Sequence, residues 1–487
     1  MVGSLLVTPL SLQAQSAAAL EPGQNLISRT QAQADLDQLR AVIAEAHGAP
    51  YRFVSRSELD RRFNRYRAAI TRPVTQFELL GYVSRMLADL GDGHARAGLD
   101  SASARRFAAV PLLPLRVRIE DGNHLVVIGN DSPIDTVIRP GTEVVRINDR
   151  NVSDIVETMT SLVPHDGFIA SGRDARLARA FPSLYHYFVD HAVAFDMVVR
   201  DTAGSTRTVH LAGVTGAARV ANKNPVNRTY DAQAAVLDGA KENISVRFPG
   251  DGSVGVLRIH GFGGDHFVTE LDSVIGMALS RGVRGMVLDL RGNGGGVDLD
   301  GANLAGRFTD RPFRYFDRIH ISTLRPSFTT FVPHTYADLD SGTTPDSAGG
   351  WLALPRLHPG VVQQGPAPVP FLGPLVVLMD AGTFSTAADV TATLRGFGKA
   401  TFIGEESGGA YEGNTSGMNG LLYLTNSGIR VVVQMYGYVN AAPTPREHGR
   451  GTLPDIKLAL RVQDILRGED RGMERALVAA KGARGSR

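Results

Sequence analysis

An apolar run of strand length, Met286-Val287-Leu288-Asp289-Leu290, ends in Arg291-Gly292-Asn293-Gly294-Gly295-Gly296, and a helix-like segment follows from Asp298 to Phe308. This is the stretch that most restricts the fold. A buried strand that breaks into a glycine turn and then a helix leaves backbone amides exposed at the strand's carboxyl end, where anions bind. Glycines let the main chain turn with positive φ and approach a ligand without side-chain interference. About ninety residues on, Pro374 to Met379 is a second apolar strand. It breaks through Asp380-Ala381-Gly382-Thr383-Phe384 into a helix that begins at Ser385. A glycine loop alone is an ordinary connection. The two turns together place a nucleophilic hydroxyl opposite a pocket of amides. Val254 to Ile259 as a strand and Phe267 to Leu279 as a helix extend the alternation, which indicates an α/β domain with a largely buried sheet.

With 487 residues and 43% hydrophobic content, the chain can bury more than one core. Lys+Arg 51 against Asp+Glu 49 gives a net charge of +2, so no global field recruits nucleic acid or an anionic membrane. There are no cysteines, which removes disulfides, thiolate catalysis and cysteine-ligated metals. Residues 1–19 combine a short apolar run with small residues around Ala14 to Ala17 and have no basic start. They are expected to be a secretory signal remnant, which would place the protein in the periplasm or outside the cell. No apolar run reaches the roughly 20 residues that span a bilayer.

From 26 to 105 the apolar spacing is helical: Leu36, Leu39, Val42 and Ile43; Leu59, Phe63 and Tyr66; Phe77, Leu80, Val83, Met86 and Leu87. A small helical domain is expected, ending in the tight turn Leu90-Gly91-Asp92-Gly93-His94. A lone histidine in such a turn usually bonds a carbonyl; His94 gains weight only from its company. Residues 109–216 read as a β-rich module. Its run Ser132-Pro133, Gly141, Val144, Ile147-Asn148 and Val152 resembles PDZ domains, which capture peptides by strand addition. The helical stretch between Val163 and Phe188 departs from that pattern. Residues 217–244 are polar and read as a linker, 245–460 as the catalytic domain, and 461–487 as a helical tail. The segment from Arg311 to Gly373, rich in Pro, Gly, Ser and Thr, reads as a long irregular insertion, either a substrate wall or an idle loop.

Asp289 to Gly296, the Thr383-Phe384-Ser385 turn and Ile403-Gly404-Glu405 together resemble the C-terminal-processing (tail-specific) serine peptidases and their tricorn-core relatives, over nearly the whole chain. The resemblance implies a crotonase-like ββα catalytic domain with a PDZ-like insert, cutting peptide bonds without a metal or other cofactor. The processing peptidases place a lysine base about 25 residues after the serine; here Gly408-Gly409-Ala410 stands there, and Lys399 falls outside the pattern. The tricorn-like branch instead uses a histidine and a downstream glutamate, which His94 and Glu447 match. The helper serine that precedes the tricorn histidine is Gly93 here. The implied roles are Ser385 as nucleophile, His94 as general base and Glu447 as its orienting carboxylate, directly or through a bridging hydroxyl. The amides of Gly295 and Thr386 form the oxyanion hole. Asp289 and Arg291 are expected to form an ion pair that, with Asn293 and Gly294, holds the glycine turn. His448 is a rival base, with His165, His186 and His260 behind it. A peptide or protein substrate and a homo-oligomer are the implied partners. A catalytically silent carrier of apolar ligands, like retinoid-binding relatives, and a small-ester or amide hydrolase remain alternatives.

Overall fold

The computed structural model describes residues 25–239, 242–328, 336–445 and 447–482; the signal-like residues 1–19 lie outside these. A six-stranded sheet runs in the order Ile244–Arg247, Val254–Ile259, Gly285–Asp289, Leu375–Met379, Ala400–Gly404, Ile456–Lys457. All neighbours are parallel except the first pair. Parallel strands are buried on both faces and need helices on each. On one face, Met286, Leu288 and Val377 pack against Leu271 and Ile275 of the helix Phe267–Ser280, and against Val390 and Leu394 of the helix Thr386–Gly396. On the other, Val287, Val376 and Leu378 meet Met473, Ala476 and Ala480 of the helix Arg471–Gly482. The segment expected to be a C-terminal tail is therefore a structural layer. Its small residues let it approach so closely that a Cβ at Gly285 would overlap the Ala480 carbonyl.

The N-terminal helices Arg29–Ala46, Arg56–Ala69 and Gln76–Ala88 start at Ser28, Ser55 and Thr75. Each of these hydroxyls accepts an orphan amide from the first turn, the usual signature of a capped helix. Their apolar stripes join Val431, Met435 and Tyr436 of the long strand Arg430–Asn440 in one core cluster shared with the α/β layers. That strand is the spine of a second sheet, ordered Thr343–Pro345, Trp351–Ala353, Phe316–Ile321, Arg430–Asn440, Thr415–Tyr423, with Arg96–Gly98 paired to its start. The stretch 311–373 thus supplies three strands to this sheet where an irregular insertion was expected.

The β-rich module has a sheet ordered Leu115–Glu120, His124–Asn130, Glu143–Ile147, Ala194–Arg200, Thr206–Ala212 and its own core with the helices Val152–Thr160 and Ala170–Phe188. Part of the expected linker is helical. Arg228–Asp238 is a helix whose Tyr230, Ala234 and Leu237 pack with Val462 and Ile465; this apolar spacing of four and three was present in the sequence among polar neighbours. No helix among the described residues is long and apolar enough to cross a membrane.

Candidate active site

Two strand-to-helix turns abut at the carboxyl edge of the parallel sheet. In the first, Asp289 is buried under two guanidiniums: Arg291 Nη2 lies 2.7 Å and Arg258 Nη1 2.7 Å from its carboxylate, and Arg291 also binds Asp470 at 2.8 Å. Burial works to raise the Asp289 pKa, but the two arginines more than offset it and hold it below the usual carboxylate range. This network anchors the turn. Asn293 then donates to the Ile259 carbonyl at 2.9 Å, and its side-chain oxygen accepts the Gly295 amide at 2.9 Å. The second turn is bolted to the first: Thr383 Oγ1 donates to the Leu290 carbonyl, Asp380 accepts the Gly292 amide, and Phe384 N donates to the Asn293 carbonyl.

At the end of this turn Ser385 sits at φ 55°, ψ −131°, immediately before the helix Thr386–Gly396. A non-glycine residue in this region is strained and persists only where its surroundings enforce it. The result is a hydroxyl lifted out of the turn at a helix N-terminus. Gly295 makes room for it, since a Cβ there would lie 2.6 Å from Ser385 Cβ. The Thr386 amide makes no hydrogen bond among the described residues and faces the dipole-positive end of its helix. The Gly295 amide is already given to Asn293, whereas the Gly294 amide has no hydrogen bond among the described residues, and Gly294 lines the same cavity as His94.

His94 Nε2 lies 3.1 Å from Ser385 Oγ, across 291 residues of sequence. The ring leans on Phe384 at 4.5 Å between centroids, and Gln434 holds the His94 carbonyl at 2.7 Å. Nδ1 is buried and without a hydrogen-bond partner; the nearest carboxylate oxygen is Asp92 Oδ1, 3.8 Å away. Asp92, 4% exposed, also accepts the His94 amide at 2.7 Å and faces His47 Nε2 at 2.8 Å. The Ala49 amide donates to His47 Nδ1, so Nε2 carries the ring proton and donates to Asp92. Burial pushes the Asp92 pKa up, but the hydrogen bond from His47 and the electrostatic fields of the His47 and His94 rings prevail and hold it at about 2. Burial also lowers the His94 pKa; Asp166 and Asp92 oppose this, while Arg176 and Arg96 add to it. The imidazole is therefore neutral at neutral pH and able to accept a proton. Asp166 takes the amides of Gly93 at 2.6 Å and Ala410 at 3.1 Å, so the position where a lysine base would stand is backbone to a carboxylate.

Glu447 is not brought to this ring. It is 58% exposed and bonded to Arg450 at 3.0 Å, three residues along the same loop, and no hydroxyl bridges it to Nδ1. His448 is exposed and bonds Glu412. His165 bonds the Val163 carbonyl, His260 lies 3.7 Å from Asp238, and His186 packs among Phe77, Phe107 and His191. Lys399 is exposed beside Asp310. Asp92, His94 and Asp166 offer ligand atoms within 4.8 Å of one another, a grouping that could hold a cation. Both carboxylates already accept backbone amides, and the half-buried Arg52 and Arg176 lie in their field, so the donor set is balanced without one.

Gly93, which stands where a helper serine was expected, is dictated by packing. A Cβ there would lie 2.9 Å from both Asp166 Oδ1 and the Phe384 ring. His47, Asp166 and Gln434 carry no local sequence signal, because each reaches the site from a different element.

The two turns thus bring a serine hydroxyl and an imidazole within hydrogen-bond reach at the carboxyl edge of a parallel sheet. Residues 253–458, less than half of the chain, match the model of Peptidase family S41, which supports a serine peptidase. No curated protein matches the chain. Mature CPAF shares its architecture, with a TM-score of 0.64 and 17% identity over 94% of this chain and 99% of that one. So does mature CPAF complexed with lactacystin, at 0.64 and 18% over 93% and 98%. At these identities the likeness is one of fold.

Proposed function

We propose that this protein is a metal-independent serine endopeptidase in which Ser385 attacks the peptide carbonyl and His94 takes its proton. The observation that carries this is the 3.1 Å approach of a neutral, half-buried imidazole to a hydroxyl on a strained strand-to-helix turn. Attack by the Ser385 oxygen on the carbonyl carbon moves one proton to His94 Nε2 and leaves negative charge on the former carbonyl oxygen. The Thr386 and Gly294 amides support that charge, each such donor being worth about 3 kcal/mol of barrier. His94 then protonates the leaving amine, and water hydrolyses the acyl-enzyme by the reverse path. Asp92 stabilises the imidazolium through its field, and His47 fixes Asp92; the exposed Glu447 takes no part. The substrate is an unfolded or C-terminal peptide segment, in keeping with the tail-specific relatives.

A fluorophosphonate probe tests the nucleophile. Labelling should occur at Ser385 and vanish in Ser385→Ala, together with cleavage of an unfolded protein. Lactacystin, which mature CPAF binds, should compete with the probe. Failure of labelling in folded protein overturns the reading, and turnover of small esters without peptide cleavage would replace it with an esterase.

A further inference from the structure

Beside the Ser385–His94 pair lies a cavity of about 250 Å³ whose walls include Arg96, Arg176 and Arg179. They come from separate elements, Arg96 from the strand Arg96–Gly98 and the other two from one helix, three residues apart, in Ala170–Phe188. Arg176 has a structural post: it donates to the Gly93 carbonyl at 2.7 Å, and its guanidinium lies 4.1 Å over the Phe384 ring. Arg96 and Arg179 are exposed, and neither has a carboxylate partner among the described residues. Counting charge gives the same picture. The buried Asp92 and Asp166 are answered by the half-buried Arg52 and Arg176. That leaves two guanidiniums uncompensated at the mouth of a cleft that also holds the unengaged Gly294 amide. Like charges brought together cost free energy, and a planar guanidinium fork matches a carboxylate in two-point contact.

We propose that Arg96 and Arg179 form a carboxylate clamp, so that the cavity selects peptides presenting a carboxylate next to the scissile bond. The inference rests on the peptidase reading of this site and specifies its substrate class. The carboxylate belongs either to an Asp or Glu side chain or to the free C-terminus of the substrate.

A peptide series on one scaffold tests it, with Glu against Gln at each position flanking the cut and a C-terminal acid against its amide. Affinity for the Ser385→Ala protein is measured by fluorescence anisotropy, and kcat/KM is measured on the wild type. One carboxylate position should bind about tenfold or more tightly than its amide, and the preference should shrink as salt is raised. Preference confined to the C-terminal acid assigns the cavity to a chain end; preference for an internal Glu assigns it to a side chain. In Arg96→Glu/Arg179→Glu the preference should reverse toward Lys, a gain that a misfolded variant cannot produce. Equal affinity for every acid and its amide overturns the clamp, whether or not the wild type cleaves. Carboxylate-selective binding without Ser385 labelling would keep the clamp and remove the peptidase.

Discussion

Replacing Asp92 by Asn removes one charge from the ring's surroundings while keeping nearly the same shape. Transfer of a proton to His94 creates an imidazolium 3.8 Å from Asp92 Oδ1. At an effective dielectric of about 20, a unit charge pair at that distance is worth roughly 4 kcal/mol. The ring is 17% exposed, so solvent screens part of this; about 2 kcal/mol is a fair lower figure. The expected loss in kcat/KM therefore runs from about thirtyfold to about a thousandfold. A second signature follows from the same field. Burial already puts the His94 pKa below the ordinary value of about 6.5, so the acid limb of kcat/KM, where the base becomes protonated, lies below that pH. Without Asp92, whose charge opposes the effect of burial, the limb should move lower still. The substitution also sets an amide donor against His47 Nε2, so stability falls, and the kinetics must be read on protein shown to be folded by thermal unfolding. A folded Asp92→Asn enzyme within about threefold of wild type, with an unmoved acid limb, would refute this role. So would a large loss in Glu447→Gln, which should stay within about twofold because its ion pair with Arg450 is exposed.

Gly93→Ser should not install a helper hydroxyl. Its Cβ presses on Asp166 and Phe384, and overpacking of this kind costs about 1–3 kcal/mol, visible as a lower unfolding midpoint and lower kcat. Asp289→Ala leaves Arg258 and Arg291 without their shared carboxylate; loss of one member of a buried ion network should destabilise by about 3–5 kcal/mol in denaturant titration and loosen the glycine turn. Truncation after Gly468 uncovers Val287, Val376 and Leu378, and should yield aggregated protein or one that binds a hydrophobic dye. A soluble, active truncation would contradict the layer assignment.

The sequence by itself determined the two strand-to-helix turns. Apolar runs of five residues can only be buried strands in this setting, and glycine or a strained serine at their ends follows from φ values that few residues adopt. His94 stood out in the sequence only through its company, not through the turn that presents it. The tertiary structure decided which groups surround that histidine. Asp92 is two residues away and was legible as a neighbour, yet its partner His47 and the carbonyl clamp from Gln434 lie 45 and 340 residues off in sequence. No periodicity encodes such distances. The reading of Glu447 rested on its place in a motif, and a motif cannot report that Arg450, three residues further, holds the carboxylate at the surface. The C-terminal segment reads from sequence as a helical tail, and Arg471–Gly482 is a helix; its stripe of Met473, Ala476 and Ala480 is weakly apolar, and only the open face of the parallel sheet gives it something to cover.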